Sequence, residues 1–438
     1  MVSAERRVVI TGVGIVSPLG SSKEELWTAL SSGRSGVGAL ESIPPGALPI
    51  TCAAEARQFH GKIEDFGPLD REQIKAIRKG LKVMCRECQM GVAAAESALA
   101  DANLGPGQTD PLRTGIAFGT DYMISLPDEF TEGILQCIDE SGHFDFTRWP
   151  TDGMSKMSPL WLLKYLPNMP ASHLAMYNDL RGPNNSVTMR EAAANVAIGE
   201  AYQTILRGSA EVMVVGATGT RTHPMKIIHA FQQEELALGN GDPTRASRPF
   251  ERNRSGMVLG EGAGAIVLED LRSAQARGAM IYGEVLGSAS SAAVGRSLVA
   301  RRDQAMTNVL RTTLASAEAN PNDVGHLHAH GLSTRTCDAD EARAIGAVFG
   351  ARAQPIPVIA AKSYFGNLGA GSGMVEFVAS LLALEHNYLF PVLNYDCPDP
   401  ECPLAVVTLP GTPPGSSFIN LNVTPQGQAS AVMVRRFE

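Results

Sequence analysis

Apolar positions along the chain follow helix spacing in some stretches and strand spacing in others, which predicts an α/β protein. Buried strands are predicted at 7–11, 114–119, 212–215 and 324–329, and helices at 82–102 and 305–319. The first strand is expected to be parallel to its neighbours and to end in a turn at Gly12–Gly14. A helix followed by a strand occurs in both halves of the chain, and this internal repeat predicts two related halves built from parallel α/β layers.

The most regular stretch runs from Leu180 to Gly216. A loop at 182–185 leads to an alanine-rich helix that begins near Glu191 and ends at Gly208. Backbone N–H groups and the positive end of the helix dipole converge where a helix begins, so this position suits a nucleophile or another negatively charged group. Glu191 is therefore the first candidate for a functional residue.

Composition limits the classes of partner and compartment. The 438 residues are 44% hydrophobic and carry a net charge of −8. An acidic chain is a poor partner for nucleic acid or an anionic membrane, although a local basic patch would still allow an acidic carrier protein to bind. No apolar run reaches membrane-spanning length. Seven scattered cysteines indicate reduced thiols and a cytoplasmic protein, and the strand at 7–11 leaves no room for a signal peptide.

Several segments carry signatures that recur together in one enzyme family. Around Glu191 the matching positions are Gly182, Pro183, Asn184, Ser186, Val187, Ile198, Gly199, Glu200 and Ala201. A second set comprises Arg248, Pro249, Phe250, Arg254, Gly256, Gly260, Glu261, Gly262 and Gly264. With the opening VVITGVGIVSPLG, the LPNM run at 166–169, HAHGLST at 328–334 and KSYFGNLGAGSG at 362–373, they resemble the elongating β-ketoacyl-ACP synthases of fatty-acid and polyketide synthesis.

This resemblance implies a specific architecture, the thiolase-like fold. In that fold two βαβαβαββ halves stack in five α-β-α-β-α layers. We expect residues 1–265 to form the N-terminal half and 266–438 the C-terminal half. An insertion at about 121–180 is expected to cap the acyl pocket and to contribute to a dimer.

The resemblance also implies which residues form the site. In the family a cysteine takes the acyl group as a thioester, and two histidines assist decarboxylation of malonyl-ACP. Glu191 stands at the cysteine position, His330 at the first histidine and Asn367 at the second. Lys362 matches a residue that orders the site in relatives. The expected catalytic set is therefore Glu191, His330, Asn367 and Lys362, in which an amide replaces an imidazole that could carry charge.

Two further positions depart from the family pattern. Leu332 stands where relatives have a threonine that contacts the pantetheine arm of the carrier. The glycine-rich GFGGTN hinge is not recognisable at 416–430, and its gating aromatic residue is missing. The resemblance therefore implies that carrier-gated access to the site is altered.

Glu191 has several interpretations. A carboxylate at a helix N-terminus is stabilised by about 0.3–1 kcal/mol and could simply cap the helix. It could instead be a general base towards a carbon acid or water, or occupy the acyl-acceptor site and leave a decarboxylase. A stable covalent acyl intermediate is excluded, because an acyl anhydride would hydrolyse.

Other chemically suggestive residues have structural explanations. His326 and His328 alternate along a strand without a third ligand, which favours packing over a metal site. Cys85 and Cys88 lie within the predicted helix 82–102, which favours packed thiols over a redox or zinc role.

These observations predict an acyltransferase of the 3-oxoacyl-ACP synthase type that acts on ACP or CoA thioesters without a cysteine nucleophile. One alternative is a non-catalytic subunit, like a chain-length factor, paired with an active ketosynthase. Another is a thioester hydrolase in which Glu191 activates water. The expected assembly is a homodimer or a heterodimer with a cysteine-containing ketosynthase, and no metal or organic cofactor is implied beyond the pantetheine arm.

Overall fold

The computed structural model describes residues 6–239 and 241–437. The strands are β1 Val8–Val16, β2 Gly38–Ala39, β3 Cys52–Ala53, β4 Thr114–Thr120, β5 Asn184–Thr188, β6 Val212–Thr220, β7 Glu261–Asp270, β8 Gly283–Ala292, β9 His326–His328, β10 Pro357–Ile359, β11 Ala405–Val406, β12 Ser417–Val423 and β13 Gln428–Arg435. The α-helices are α1 Lys23–Ser32, α2 Arg71–Gly80, α3 Arg86–Asp101, α4 Asp128–Gln136, α5 Met169–Asn178, α6 Ala193–Leu206, α7 Pro224–Gln233, α8 Leu271–Ala276, α9 Arg302–Ser316, α10 Arg335–Phe349, α11 Lys362–Phe365 and α12 Gly371–His386.

Eleven strands join in one mixed sheet, in the order β11-β10-β9-β12-β13-β8-β1-β7-β6-β4-β5. Parallel pairs lie at both ends: β5, β4 and β6 in the first half, and β12, β9, β10 and β11 in the second. The pairs between them are antiparallel. The two halves meet where three residues of β1 pair with β8.

Helices divide these strands into five layers, as predicted. Helix α3 packs on β1, β6 and β7 at one outer face, and α9 packs on β8 and β13 at the other. Helices α6 and α12 lie between the two halves, since α6 contacts β4 and β13 while α12 contacts β7 and β12. The first half of the sheet therefore faces the second across a helical layer.

The predicted turn at Gly12–Gly14 is wrong, because both glycines lie inside β1. A Cβ atom at Gly12 would come within 2.3 Å of the Ala98 carbonyl oxygen, and one at Gly14 within 1.9 Å of the Ala94 oxygen. The glycines thus allow α3 to lie directly on the strand. The prediction that this strand is parallel to its neighbours is also wrong, since β1 is antiparallel to both β7 and β8.

The helix predicted from residue 82 begins later. Residues Leu81–Val83 form a short 3₁₀ turn, and α3 starts at Arg86. Cys85 is therefore the residue before the helix and not part of it, which corrects the placement of both cysteines inside one helix.

The end of the sheet and the long insertion lie together in the first half. Within the part of the chain that the structure describes, strand β5 pairs with β4 alone and forms the last strand of the sheet. The insertion at 121–180 carries α4, α5 and several short turns. The division at 265/266 stays a prediction; that position falls within β7. No helix in the described parts of the chain combines the length and apolar character needed to cross a membrane.

Candidate active site

The four predicted site residues lie in segments that follow the carboxyl ends of parallel strands. Glu191 follows β5 in a short 3₁₀ turn that leads into α6, and His330 follows β9. Lys362 begins α11 after β10, and Asn367 lies between α11 and α12. Because the two halves of the sheet face each other across the helical layer, the segment after β5 reaches the segment after β10, and Asn367 contacts Glu191.

Glu191 is bound through its carboxylate to residues of both halves. Its Oε1 atom accepts hydrogen bonds from Asn367 Nδ2 at 3.0 Å and from Arg221 Nη1 at 3.2 Å. Its Oε2 atom lies 3.5 Å from Arg190 Nε. The side chain is 1% exposed. The carboxylate is therefore fixed inside the protein and not available at a surface.

A second carboxylate completes a closed charge network around Glu191. Glu234, directly after α7, accepts hydrogen bonds from Arg190 Nη2 at 2.9 Å and from Arg221 Nη2. Each arginine thus contacts both glutamates. We call Arg190, Glu191, Arg221 and Glu234 the charge network. Pattern reading missed three of its members; the one available signal was an arginine directly after the apolar strand β6.

The charge network keeps Glu191 ionised. Burial alone would raise the pKa of this carboxyl group, but the charges of Arg190 and Arg221 and the amide of Asn367 outweigh it and lower the pKa to about 2. A carboxylate with so low a pKa is a weak base at neutral pH. The geometry therefore disfavours Glu191 as a general base.

His330 is held by contacts to its backbone and to its ring. The backbone N–H of His330 donates to Glu341 Oε1 at 2.6 Å, and Lys362 Nζ donates to the backbone carbonyl oxygen of His330 at 2.8 Å. Lys362 Nζ also lies 3.3 Å from His330 Nδ1 and pairs with Glu376. An ammonium group can only donate, so Nδ1 accepts and Nε2 carries the ring proton. Burial and the charge of Lys362 lower the pKa of His330 well below its usual value.

Both the nitrogen and the oxygen of the Asn367 side-chain amide contact other protein atoms. Its Nδ2 atom donates to Glu191 and lies 2.9 Å from Met257 Sδ. Its Oδ1 atom accepts from the Gly369 N–H at 3.0 Å and from Ser372 Oγ at 3.1 Å. The amide is therefore fixed in orientation, and its donors already point at protein atoms.

His326 and His328 form part of a continuous hydrogen-bond chain. The Ala361 N–H donates to His328 Nε2 at 3.2 Å, so His328 Nδ1 carries the proton and donates to Ser380 Oγ at 2.8 Å. Ser380 then donates to His326 Nε2 at 3.2 Å, and His326 Nδ1 donates to the Pro414 carbonyl at 2.8 Å. Both rings are fully bonded within the core. Among the described residues no group of three His, Cys, Asp or Glu side chains is placed to hold a metal ion.

Cys85 and Cys88 are buried thiols. The Sγ atom of Cys85 lies 3.6 Å from Met123 Sδ. Burial raises the pKa of both thiols well above the usual value, so neither is a thiolate at neutral pH.

The region of the missing hinge, 416–430, contains strand β12, a turn and the start of β13. All seven residues of β12 are buried. Asn195 of α6 donates to Asn422 Oδ1 at 3.0 Å, and Asn420 donates to Asn195 Oδ1 at 2.9 Å. Asn422 Nδ2 in turn donates to Glu376 at 2.7 Å. These hydrogen bonds connect β12 to the helical layer, so β12 is held in place and is not a flexible hinge.

A cleft of about 1130 Å³ opens on the other side of β6. Thr220 and Thr222 line it and lie 3.2 and 3.3 Å from Glu261, whereas Arg221 between them faces Glu191. None of the four predicted site residues lines this cleft. This cleft and the charge network thus lie on opposite faces of the same strand end.

Comparison with known proteins gives one consistent result. The model of the "Beta-ketoacyl synthase, N-terminal domain" matches residues 5–274, and that of the "Beta-ketoacyl synthase, C-terminal domain" matches residues 282–396. The chain is 33% identical to a 3-oxoacyl-[acyl-carrier-protein] synthase 2 of Synechocystis sp. over 407 residues, which are 92% of this chain and 91% of the relative.

Solved structures agree with this over almost the entire chain. A type II polyketide synthase acyl-carrier protein in complex with its ketosynthase (AntDE:AntF) matches with a TM-score of 0.84 and 26% identity, covering 99% of this chain and 100% of the other. The ishigamide ketosynthase/chain length factor matches with a TM-score of 0.81 and 26% identity over the same shares. These likenesses confirm the thiolase-like ketosynthase fold.

Proposed function

The chain belongs to the β-ketoacyl synthase family, and from that premise we propose that it is a non-catalytic subunit, like a chain-length factor, that pairs with a cysteine-containing ketosynthase of fatty-acid or polyketide biosynthesis. In this proposal Glu191 stands at the position of the family's acyl-accepting cysteine. One observation carries it: the Glu191 carboxylate is enclosed by two arginines and the Asn367 amide.

The enclosure blocks each route to chemistry at Glu191. A carboxylate forms no stable thioester equivalent, and an ion-paired carboxylate with a pKa of about 2 is a poor base towards water or a carbon acid. The amide donors of Asn367 that could bind a thioester oxygen already face Glu191 and Met257. This argument weighs against the acyltransferase and the hydrolase expected from the sequence.

The surface supports a partner subunit. Among the described strands β5 has only β4 as a neighbour, so its other edge offers unpaired backbone groups to a second chain. Ten large apolar side chains in the nearby insertion are exposed: Leu126, Ile134, Leu135, Phe144, Phe146, Met154, Leu160, Leu162, Leu163 and Met176. An apolar face of this extent is typical of an interface between subunits.

A local basic patch supports an acyl carrier protein as a second partner. Helix α2 and the turn after it carry exposed cationic side chains: Arg71, Lys75, Arg78, Lys79 and Lys82. No acidic residue other than Glu72 lies between Arg71 and Lys82. A carrier protein with an acidic surface would be attracted to this patch even though the chain as a whole is acidic.

A second candidate function is favoured by His330. Its ring is oriented by Lys362 so that Nε2 carries a proton, as a donor to a thioester oxygen requires. This geometry is what a decarboxylase acting on malonyl thioesters at Glu191 and His330 would need. It remains a second candidate because the amide donors of Asn367 already face Glu191 and Met257.

One experiment separates these functions. The purified protein, alone and with a cysteine-containing ketosynthase, is incubated with malonyl-ACP and acyl-ACP, and the carrier is analysed by mass spectrometry. No change with the protein alone, and condensation only with a stable complex, is the expected result. Loss of carbon dioxide from malonyl-ACP with the protein alone would establish the decarboxylase, and loss of the acyl chain would establish the hydrolase.

A further inference from the structure

The side chains around Glu191 have the chemistry of a receptor for a carboxylate group. Arg221 Nη1 and Asn367 Nδ2 converge on one oxygen, at 3.2 and 3.0 Å, and Arg190 Nε lies 3.5 Å from the other. Two guanidinium groups and an amide are donors that suit a carboxylate. They come from separate segments, so the receptor is a product of the fold and not of the helix start alone.

The charges show that this receptor needs an anion. With Glu191 removed, Arg190 and Arg221 would share Glu234 as their only ion-pair partner among the described residues, so the rest of the charge network would carry one more positive than negative charge. The nearby Lys226 is already paired with Glu87 at 2.8 Å. Asp121 acts on both arginines through its charge, but among the described residues it forms no ion pair with either of them, and its Oδ2 atom has no hydrogen-bond partner. An unbalanced buried cation is costly, so an empty receptor would favour binding a small anion.

The receptor also has donors that make no hydrogen bond to Glu191. Both Arg190 Nε and Arg221 Nε are buried without a hydrogen-bond partner, and so is the Oε2 atom of Glu191. Arg190 holds a φ of 48°, a left-handed conformation that is unfavourable for a residue with a side chain. The contacts that its guanidinium makes to Glu191 and Glu234 oppose that cost.

We propose that Arg190, Arg221 and Asn367 form a carboxylate-binding site whose resident ligand is the side chain of Glu191, and that the site binds small free carboxylates such as acetate or formate when this side chain is removed. The inference does not depend on the proposed function. Glu191 is then a built-in ligand that keeps carboxylates from outside, including the free carboxylate of a malonyl group, out of this position.

The test uses the full chain with Glu191→Ala at neutral pH, where acetate is ionised. Melting temperature is measured in rising sodium acetate and in sodium chloride of equal ionic strength. Acetate should raise the melting temperature of the variant by about 2 °C or more beyond chloride, because a ligand that binds only the folded state stabilises it. The wild-type protein and Glu191→Ala/Arg221→Met should show no acetate-specific rise, since one has the site filled and the other lacks its main donor.

A second readout covers a variant that does not stay folded. If Glu191→Ala is recovered only in aggregates, its refolding yield is compared in acetate and in chloride, and acetate should give several-fold more soluble protein. Equal effects of the two salts on melting temperature and on refolding would overturn the proposal, because charge screening alone would explain them. A rise that persists in the double variant would overturn it as well.

Discussion

The side-chain amide of Asn367 donates a 3.0 Å hydrogen bond to the carboxylate of Glu191. This contact joins the segment after β5 to the segment before α12, and so connects the two halves of the fold at their carboxyl edge. Both groups are at most 1% exposed. Two positions that the sequence singles out for chemistry are therefore bonded to each other and not to a space for substrate.

From this relationship we expect that Glu191→Cys alone does not produce an efficient condensing enzyme. The new thiol would lie beside Arg190 and Arg221, but Asn367 would still replace an imidazole, and β12 would still lack a glycine hinge. Condensation is measured by mass spectrometry of ACP-bound products with the purified variant. Robust product formation by this single variant would contradict the expectation.

Arg221 is expected to be among the most important residues for stability. Replacement by Met removes the cation shared by Glu191 and Glu234, so that among the described residues Arg190 is the one cation still paired with the two carboxylates. Breaking a buried ion pair by removing one partner costs about 3–5 kcal/mol, and we expect a loss of that order in the free energy of unfolding in urea.

Arg113 provides the matched control for this loss. It pairs with Glu211 at 2.8 Å, but the two side chains are 33% and 44% exposed. Arg113→Met should therefore cost no more than about 1 kcal/mol. Equal losses for the two variants would show that the charge network does not depend on Arg221.

The signatures along the chain were sufficient to predict the layers and to find two pairs of residues in contact, Glu191 with Asn367 and His330 with Lys362. Glu191, His330, Asn367 and Lys362 each lie in a segment with several matching positions, and each segment follows or precedes a strand end. Short motifs of this kind fix local backbone geometry, so residues predicted from them take the expected positions in the folded protein.

The charge network could not be predicted in the same way. Arg221 and Glu191 are separated by 30 residues, and Glu234 follows at the end of another helix. Nothing in the local sequence of any one of them indicates the other two. The turn predicted at Gly12–Gly14 was wrong for the same reason. These glycines are needed because α3 packs directly on β1, and only the tertiary structure reveals that packing.

Glu96 is expected to make stability depend on pH. Its carboxylate, 4% exposed, accepts from Asn178 Nδ2 at 2.8 Å and lies 3.4 Å from Gln73 Nε2, so it links α3 to α5 and α2. Burial, with the charge of Asp70, raises the pKa of Glu96 to about 7. The folded state then holds a proton that the unfolded state loses at lower pH, so stability falls as pH rises from about 4.5 to 7.

Glu96→Gln should remove this fall. Relative to wild type, the variant should gain up to about 3 kcal/mol in the free energy of unfolding between pH 5 and pH 8, measured by urea titration at each pH. Glu72→Gln, which changes an exposed carboxylate on α2, should show the pH dependence of wild type. A parallel pH dependence of wild type and Glu96→Gln would show that Glu96 is not protonated in the folded protein.

The basic patch on α2 is expected to bind an acidic carrier protein. Lys75, Arg78 and Lys79 are exposed there. Replacing Arg78 and Lys79 by Glu reverses two charges, which should weaken carrier binding at least about tenfold at low salt, since exposed charges act mainly through long-range attraction. Binding of holo-ACP is measured by surface plasmon resonance at two salt concentrations.

Arg272→Glu, on the exposed side of α8, supplies a charge control at another surface. The expected order is strong binding for wild type and this control, weak binding for the double variant, and convergence of all three at high salt. Equal affinity of the double variant and wild type at low salt would place the carrier on another face of the protein.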